Sequence, residues 1–279
     1  MIDLNNKIIK QALKKRKVPP KFRRYPFPKN IERAYNSDLQ QIANAIIQQI
    51  RQKLLPILPS VAQDLGQPVI KKDAGADDIT NAIGDIKNNL FRKYTDAELK
   101  AMAKRKGISL AQFTEEATKK EFKRVLGVDL FTNDRGLADT IEFFSINNMT
   151  LSKSLIEQSL DKAQATVFSG FQTGRRWEEI AKDIEKQIDP KVGNVVNRAR
   201  LIARDQISKL NGQLTQERQT NLGVTKYIWR TSQDERVRDS HRELEGTTQS
   251  WDDPPSVGHP GEDINCRCTA EPVLDEFFE

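Results

Sequence analysis

Residues 229–268 read WRTSQDERVRDSHRELEGTTQSWDDPPSVGHPGEDINCRC, and this stretch decides how the chain is interpreted. It holds every histidine and cysteine of the protein, His241, His259, Cys266 and Cys268, while the 240 residues before His241 contain neither type. Imidazole and thiolate are the preferred ligands of zinc and related transition metals. The clustering therefore predicts that the functional centre lies in this stretch.

The Cys-x-Cys pair offers two thiolates to one ion, and the two histidines would complete a tetrahedral Cys2His2 set of the kind that structural zinc prefers. Zinc is the candidate cofactor, and four protein ligands predict a closed site that stabilises the fold and does no chemistry. The spacing is not that of a known zinc finger. The alternative is that the cysteines alternate across a strand, one of them packed as a small hydrophobe, while His241 caps a helix or pairs with Asp234 or Asp239.

Three arginines lie among the acidic residues of this stretch. They are Arg236, Arg238 and Arg267, and the nearby acids are Asp234, Asp239 and Glu243. Arginine in such a setting usually forms bidentate ion pairs within the protein, which fix a loop-rich domain in place. Contact with phosphate is the alternative, and internal pairing is the favoured interpretation.

The order of these elements resembles that of the phage head-morphogenesis, or minor head protein, family, also called Mu F-like. The resemblance rests on His241, Cys266 and Cys268 together with eight residues that surround them in the same order: Trp229, Asp234, Arg236, Arg238, Gly246, Pro260, Gly261 and Arg267. Upstream, RARLIARDQISKLNGQLTQERQTNLGVTKYIW and GRRWEEIAKDI are also similar to the family, so the resemblance covers roughly residues 165–272. Arg204-Asp205-Gln206 departs from the Arg-Thr-Glu that the family often has at this point.

The resemblance implies a virion protein of a tailed bacteriophage. Members of the family associate with the portal, the procapsid or its scaffold, and packaged double-stranded DNA. They act in head morphogenesis or genome delivery. The expected location is the head interior or portal region, after synthesis in the host cytoplasm.

Composition and charge narrow the class of protein further. The chain has 279 residues, 37% hydrophobic and 30% charged, with a mean hydropathy of −0.65. One or two domains are expected at this length. No apolar run approaches the ~20 residues of a membrane span, and no secretory signal is visible. Two cysteines one residue apart make a poor disulfide, which favours a reducing, intracellular origin.

The basic residues are concentrated at the N-terminus. Residues 1–30 contain ten Lys and Arg against one acid, a net charge of +9, so residues 31–279 carry −3 of the total of +6. Prolines at 19, 20, 26 and 28 predict an extended arm that contacts DNA or an acidic partner. The candidate contact residues are Lys14, Lys15, Arg16, Lys17, Phe22, Arg23, Arg24, Tyr25 and Phe27. The alternative is a solvated tail.

Hydrophobic periodicity predicts a mainly α protein with a small α+β C-terminal domain. One helix is expected near 31–54, ended by Pro56 and Pro59, followed by a loop at 60–76. Further helices are expected near 77–94, 95–106, 109–126, 135–147, 151–172, 175–188 and 192–221. Residues 224–231 and the segment after Cys266 are expected to form two strands.

These features predict four functional regions. They are a basic arm at 1–30, a helical portal- or partner-binding region at 31–150, the Mu F-like domain at 151–272 and an acidic tail at 273–279. No enzyme is expected. The competing interpretations are a DNA-binding protein and a metal-dependent nuclease that uses the C-terminal cluster of Asp234, Asp239, His241, Asp252 or Asp253, and His259.

Overall fold

The computed structural model describes residues 2–14, 18, 20–65, 72–130 and 136–277. The chain is mainly α-helical with one small antiparallel sheet near its C-terminus, as the sequence predicts. The helices are α1 Ile2–Leu13, α2 Lys29–Gln49, α3 Leu58–Leu65, α4 Lys72–Lys93, α5 Asp96–Leu126, α6 Leu137–Gln172, α7 Trp177–Gln187, α8 Asn194–Asn221 and α9 Asp239–Arg242. The strands are β1 Lys226–Arg230, β2 Thr248–Ser250 and β3 Thr269–Val273.

The chain divides into two compact units. One comprises Met1–Arg33, Lys104–Ser145 and Arg204–Glu279, and we call it the C-terminal unit because it contains the sheet. The other comprises Ala34–Ala103 and Ile146–Ala203, and we call it the helical unit.

The core of the helical unit is built from apolar residues that recur every three or four positions. On α2 these are Tyr35, Leu39, Ile42 and Ile46, all of them inaccessible to solvent. The hydroxyl of Tyr35 donates a hydrogen bond to Oδ1 of Asn148, over 2.8 Å, so this buried hydroxyl is paired.

Two helices are longer than predicted, because polar and glycine residues expected at their ends are accommodated inside them. The predicted helix start near 95 is confirmed, and it carries a capping box in which the Glu98 carboxylate accepts from the Thr95 backbone N–H over 2.9 Å. The second expected start, at Ser109, is wrong, because its hydroxyl donates to the carbonyl of Arg105 inside α5. Gly107 also continues the helix, where its bare Cα admits the side chain of Ile141.

The predicted break near residues 148–150 is absent as well. The Thr150 and Ser152 hydroxyls donate to the carbonyls four residues earlier, over 3.2 and 2.8 Å, so these polar residues are satisfied within α6. Gly127 and Gly223, by contrast, lie just after α5 and α8 with φ of +73° and +80°, as expected of glycines that end helices.

Pro56 and Pro59 do not end helical structure as predicted. Residues 50–54 form a π-helical turn, 55–57 a 3₁₀ turn, and α3 begins at Leu58. Both prolines lie in first turns, where the missing N–H has no helical partner to lose. The expected loop at 60–76 is wrong for residues 60–65 and 72–76, which are helical, and residues 66–71 lie outside the described structure.

The sheet has the order β2-β1-β3, with both pairings antiparallel. Trp229 lies opposite Ala270, and Tyr227 lies opposite Pro272. Both aromatic side chains point from β1 to the same face and are inaccessible to solvent. β1 and β3 confirm the two predicted strands, whereas the short edge strand β2 was not foreseen.

The N-terminal segment is only partly the extended arm that its prolines predict. Residues 20–28 are extended, but residues 2–13 form α1, whose Ile9 and Leu13 are buried in the core of the C-terminal unit. Phe22 and Tyr25, expected to be exposed contact residues, are 7% and 8% exposed. The reason is apolar packing, since the Phe22 ring lies 4.9 Å from that of Phe122.

Arg24 also forms hydrogen bonds within the chain. Its guanidinium donates to the Thr231 carbonyl and to Glu245, both over 2.9 Å. Phe27 is half-buried and Arg23 and Lys14 are exposed, whereas Lys15, Arg16 and Lys17 lie outside the described residues. The expected acidic tail is not wholly solvated either, because Phe277 is 7% exposed and packs in the same core as Phe22.

Candidate metal centre

Two segments of the C-terminal unit bring His241, Cys266 and Cys268 together. His241 lies on α9, in the connection between β1 and β2, and the cysteines immediately precede β3. Cysteines two positions apart in extended chain face the same side, so the alternative that they alternate across a strand is wrong. One ligand atom from each of the three residues lies within 4.8 Å of the others, and all three side chains are buried.

The Nδ1 atom of His241 faces both sulfurs. It lies 3.6 Å from Sγ of Cys266 and 3.5 Å from Sγ of Cys268. Both cysteines are free. A buried imidazole with two free thiols at these distances is a chelating group for a thiophilic ion.

Hydrogen bonding between the two thiols makes their pKa values different. Donation from the Cys268 thiol lowers the pKa of Cys266 to about 6, against the opposing effect of burial. The same contact, together with burial, raises the pKa of Cys268. The backbone N–H of Gly261 also donates to Sγ of Cys266, over 3.4 Å. The site therefore favours one thiolate in the absence of metal.

An acidic residue lies on the other side of the imidazole. Oδ2 of Asp263 is 3.3 Å from Nε2 of His241, a close ionic contact that lacks hydrogen-bond geometry. Asp263 itself accepts from Arg238 over 2.7 Å, and Arg238 also donates to the carbonyl of Ile264 over 2.8 Å. A carboxylate near the distal nitrogen is a common neighbour of metal-binding histidines, which it orients when the N–H donates to it.

The other motif arginines are paired as expected. Arg267 donates to Asp234, and Arg236 lies 3.7 Å from the same carboxylate. The hydrogen bond from Arg267 lowers the pKa of Asp234, although burial works against it. The internal-pairing interpretation is thus confirmed for Arg238 and Arg267, with Asp263 as a partner that the sequence did not identify.

Aromatic residues enclose the centre. The ring of Trp229 stands perpendicular to that of His241, with centroids 5.4 Å apart, and the cysteines pack in one apolar cluster with Trp229 and Trp251. Gly246, at φ +78°, turns the chain from α9 toward β2, and its N–H donates to the Trp229 carbonyl over 2.9 Å. The three candidate ligands are therefore buried beside aromatic side chains.

His259, the expected fourth ligand, does not belong to the group. Its Nδ1 lies 2.9 Å from the hydroxyl of Tyr227, and its ring packs 4.9 Å from that of Trp251. Its backbone N–H donates to Glu262 over 2.8 Å. The Tyr227 partner could not be inferred from the sequence, because it lies 32 residues away on β1.

The Pro260-Gly261 turn reaches the centre through backbone packing. Gly212 of α8 leaves room for the Pro260 carbonyl, since a Cβ there would lie 2.2 Å from that oxygen. Gly261 has φ of +98° and lies against the carbonyl of Ser208. Two glycines thus let α8 and the turn approach closely and place the Gly261 N–H on Cys266.

Two residues that hold the site were not identified from the sequence. Glu245 accepts from the backbone and hydroxyl of Thr231, over 2.6 and 2.7 Å, and from Arg24. Asp205 accepts from the backbone N–H of Asn265 over 2.9 Å, across 60 residues. The sequence indicated Asp205 only through its position in the helix that resembles the family.

The carboxylates of the nuclease interpretation are not assembled around His241. Asp239 is exposed beside Arg242, Asp252 and Asp253 are exposed, and Asp234 is paired with Arg267. Among the described residues, His241, Cys266 and Cys268 are the one group with metal-ligand spacing. No helix in the described part of the chain has the length and apolarity needed to cross a membrane.

Residues 161–271 match the family model described as Phage Mu protein F like protein. This part of the chain is similar to that family. The resemblance seen in the sequence is thereby confirmed, and every residue of the metal centre lies within the match. The match supports a phage head-related protein of a structural family, which is consistent with a non-enzymatic role.

Two curated proteins are similar to this Mu F-like chain. An uncharacterized protein of Haemophilus influenzae is 40% identical over 157 residues, 55% of this chain and 34% of that protein. An uncharacterized protein of Methanocaldococcus jannaschii is 37% identical over 106 residues, 38% of this chain and 16% of that protein. The chain thus spans about a third or less of the length of these relatives. No solved structure matches it.

Proposed function

We propose that the chain is a minor head protein of a tailed bacteriophage, associated with the portal and with packaged DNA in the virion head. The observation that carries this proposal is the family match over residues 161–271, which contains the whole centre built by His241, Cys266 and Cys268. A protein at this location acts in head morphogenesis or genome delivery.

The basic side chains of the N-terminal segment are the surface we assign to DNA or to an acidic face of the portal. Ile9, Leu13 and Phe22 anchor this segment in the core, while Lys10, Lys14, Lys21, Arg23 and Lys29 remain exposed. The segment is anchored at these three buried residues, so its basic side chains lie on a folded surface. Phosphate contacts made by such a surface release counterions and weaken steeply with salt.

We further propose that His241, Cys266 and Cys268 bind one zinc ion. Tetrahedral bonds of about 2.3 Å to sulfur and 2.0–2.1 Å to nitrogen separate the two donor atoms by roughly 3.6 Å. The observed separations of 3.6 and 3.5 Å agree with that value. The ion would join α9 to the segment before β3, so its role is to stabilise the C-terminal unit.

The head role is tested by co-expressing the tagged chain with the portal protein and the major capsid protein of its phage. The chain should sediment with portal oligomers and procapsids on a density gradient. A chain that stays at the top of the gradient in both mixtures would contradict the proposal. Specific cleavage of DNA by the purified protein would instead favour a nuclease.

The basic surface is tested with two triple variants of equal charge change. Lys10, Lys14 and Lys21 are replaced by Gln in one, and the exposed residues Lys182, Lys191 and Lys226 in the other. The first variant should lose affinity for duplex DNA or portal. For DNA, the slope of log K against log salt concentration should become less steep by roughly 0.9 for each lost phosphate contact. Equal binding by both variants would show that the N-terminal lysines are not the contact surface.

A further inference from the structure

A small cavity adjoins the three candidate ligands. It measures about 30 Å³ and is lined by Ser232, Arg236, Val237, Arg238, His241, Asn265, Cys266, Arg267 and Cys268. A cavity needs roughly 10–15 Å³ on this measure to hold one water molecule. The space beside the ligands therefore matches one water and is too small for an additional protein side chain.

Asn265, one of the residues that line the cavity, has a buried acceptor that lacks a partner. Oδ1 of Asn265 is buried and accepts no hydrogen bond, although the backbone N–H of the same residue is held by Asp205. Asn265 has φ of +57°, which few residues other than Asn, Asp and Gly adopt readily. A buried amide oxygen without a donor costs free energy, so a donor in the cavity is expected.

We infer that the metal centre has three protein ligands and that a water molecule, hydrogen-bonded to Oδ1 of Asn265, completes the coordination. This inference rests on the proposed zinc site. Zinc is almost always four-coordinate in proteins, and His259 is held by Tyr227. A metal-bound water would occupy the fourth position and donate to Asn265, which satisfies both groups at once.

The lining of the cavity indicates what this position does. None of the described residues that line it is an aspartate or glutamate, and Asp263 lies on the far nitrogen of His241. The water therefore has no carboxylate beside it to act as a general base. The three arginines that line the cavity are paired with Asp234 and Asp263. Zinc binds sulfur ligands well, so hydrosulfide is a suitable probe of an open coordination position.

The test uses the full chain loaded with zinc and examined by X-ray absorption. The spectrum should contain two sulfur ligands at about 2.3 Å, and hydrosulfide should raise the number to three. His259→Gln should give the same two spectra. A site that keeps two sulfurs in excess hydrosulfide, or that loses a nitrogen ligand in the His259 variant, would overturn the inference while leaving zinc binding intact. Failure to bind zinc at all would overturn both.

Asn265→Gly isolates the hydrogen bond, because glycine keeps the positive φ and removes the acceptor. The variant should still bind zinc, but the metal-bound water has lost its hydrogen bond to residue 265 and exchanges more readily. Hydrosulfide should therefore bind about 2- to 10-fold more tightly, the change expected for loss of one hydrogen bond. Unchanged hydrosulfide affinity would show that Asn265 does not hold the water.

Discussion

Oδ2 of Asp263 lies 3.3 Å from Nε2 of His241, on the opposite side of the imidazole from the two cysteines. Asp263 is itself held by Arg238, so a positioned carboxylate faces the distal nitrogen of the ring whose Nδ1 lies beside the sulfurs. The family motif places an arginine at 238 and a histidine at 241, and their relation to the metal centre is explained by the carboxylate between them.

Asp263→Asn is expected to weaken zinc binding about 10- to 100-fold, as is usual when a residue that orients a metal-binding histidine is lost. The loss arises because the amide removes the negative charge that faces His241 and accepts from Arg238. Competition with a chromophoric chelator measures it. Asp252→Asn is the matched control, since Asp252 is exposed and distant from the ligand group. Equal affinity in both variants would contradict the orienting role of Asp263.

Stability of the metal-free protein is expected to depend on pH through Cys266. Its pKa in the folded chain, about 6, lies below the ordinary value of 9.0. The thiolate therefore contributes stability that is fully present above about pH 9 and is lost as the pH falls through 6. The Tm measured in chelator should rise from pH 6 to pH 9.

Cys266→Ser is the control for this pH dependence. It should flatten the rise in Tm, since serine does not ionise in this range. The raised pKa of Cys268 works in the opposite direction but only above pH 9, outside the window. A slope that persists in the serine variant would assign the pH dependence to another group.

Gly212→Ala is expected to destabilise the C-terminal unit. The added methyl would lie 2.2 Å from the Pro260 carbonyl, so α8 and the turn must separate. Overpacking of this kind costs typically 1–3 kcal/mol. Gly84→Ala on α4 is the control, because nothing lies within 4 Å of its added carbon and alanine favours helix by about 0.5–1 kcal/mol. An equal change of Tm in the two variants would contradict the close approach of α8 to the Pro260 turn.

Phe22→Ala is expected to reduce the free energy of unfolding by about 3–5 kcal/mol, because the ring is buried against Phe122. Denaturant unfolding measures the loss. Val18→Ala is the control, since Val18 is 69% exposed. If Phe22→Ala unfolds like the wild type but loses portal binding, the aromatic is a contact residue after all.

The sequence predicts the mainly α class, β1 and β3, and three of the metal centre's residues. These features depend on local periodicity and on residue types that are rare elsewhere in the chain. It does not predict that α5 continues through Gly107, because the Ile141 side chain that packs there comes from another helix. Glycine signals a helix end only when its backbone takes positive φ.

Errors in the site have a similar origin. His259 has the residue type of a ligand, but its Nδ1 is held by Tyr227 from another element. Phe22 and Tyr25 lie in an extended segment, yet an extended segment can bury every second or third side chain when it crosses a core. Asp263 and Asn265 carry roles that depend on tertiary contacts with His241 and Asp205, which no local pattern contains.

The most direct test of the three-ligand metal centre is the zinc content of the full chain and two histidine variants, purified without chelator. The wild type and His259→Gln are predicted to hold about one zinc per chain, and His241→Gln to hold little or none. Chelator should lower the Tm of the first two proteins only. A wild type free of zinc, or a His259 variant that loses zinc as completely as the His241 variant, would contradict the account.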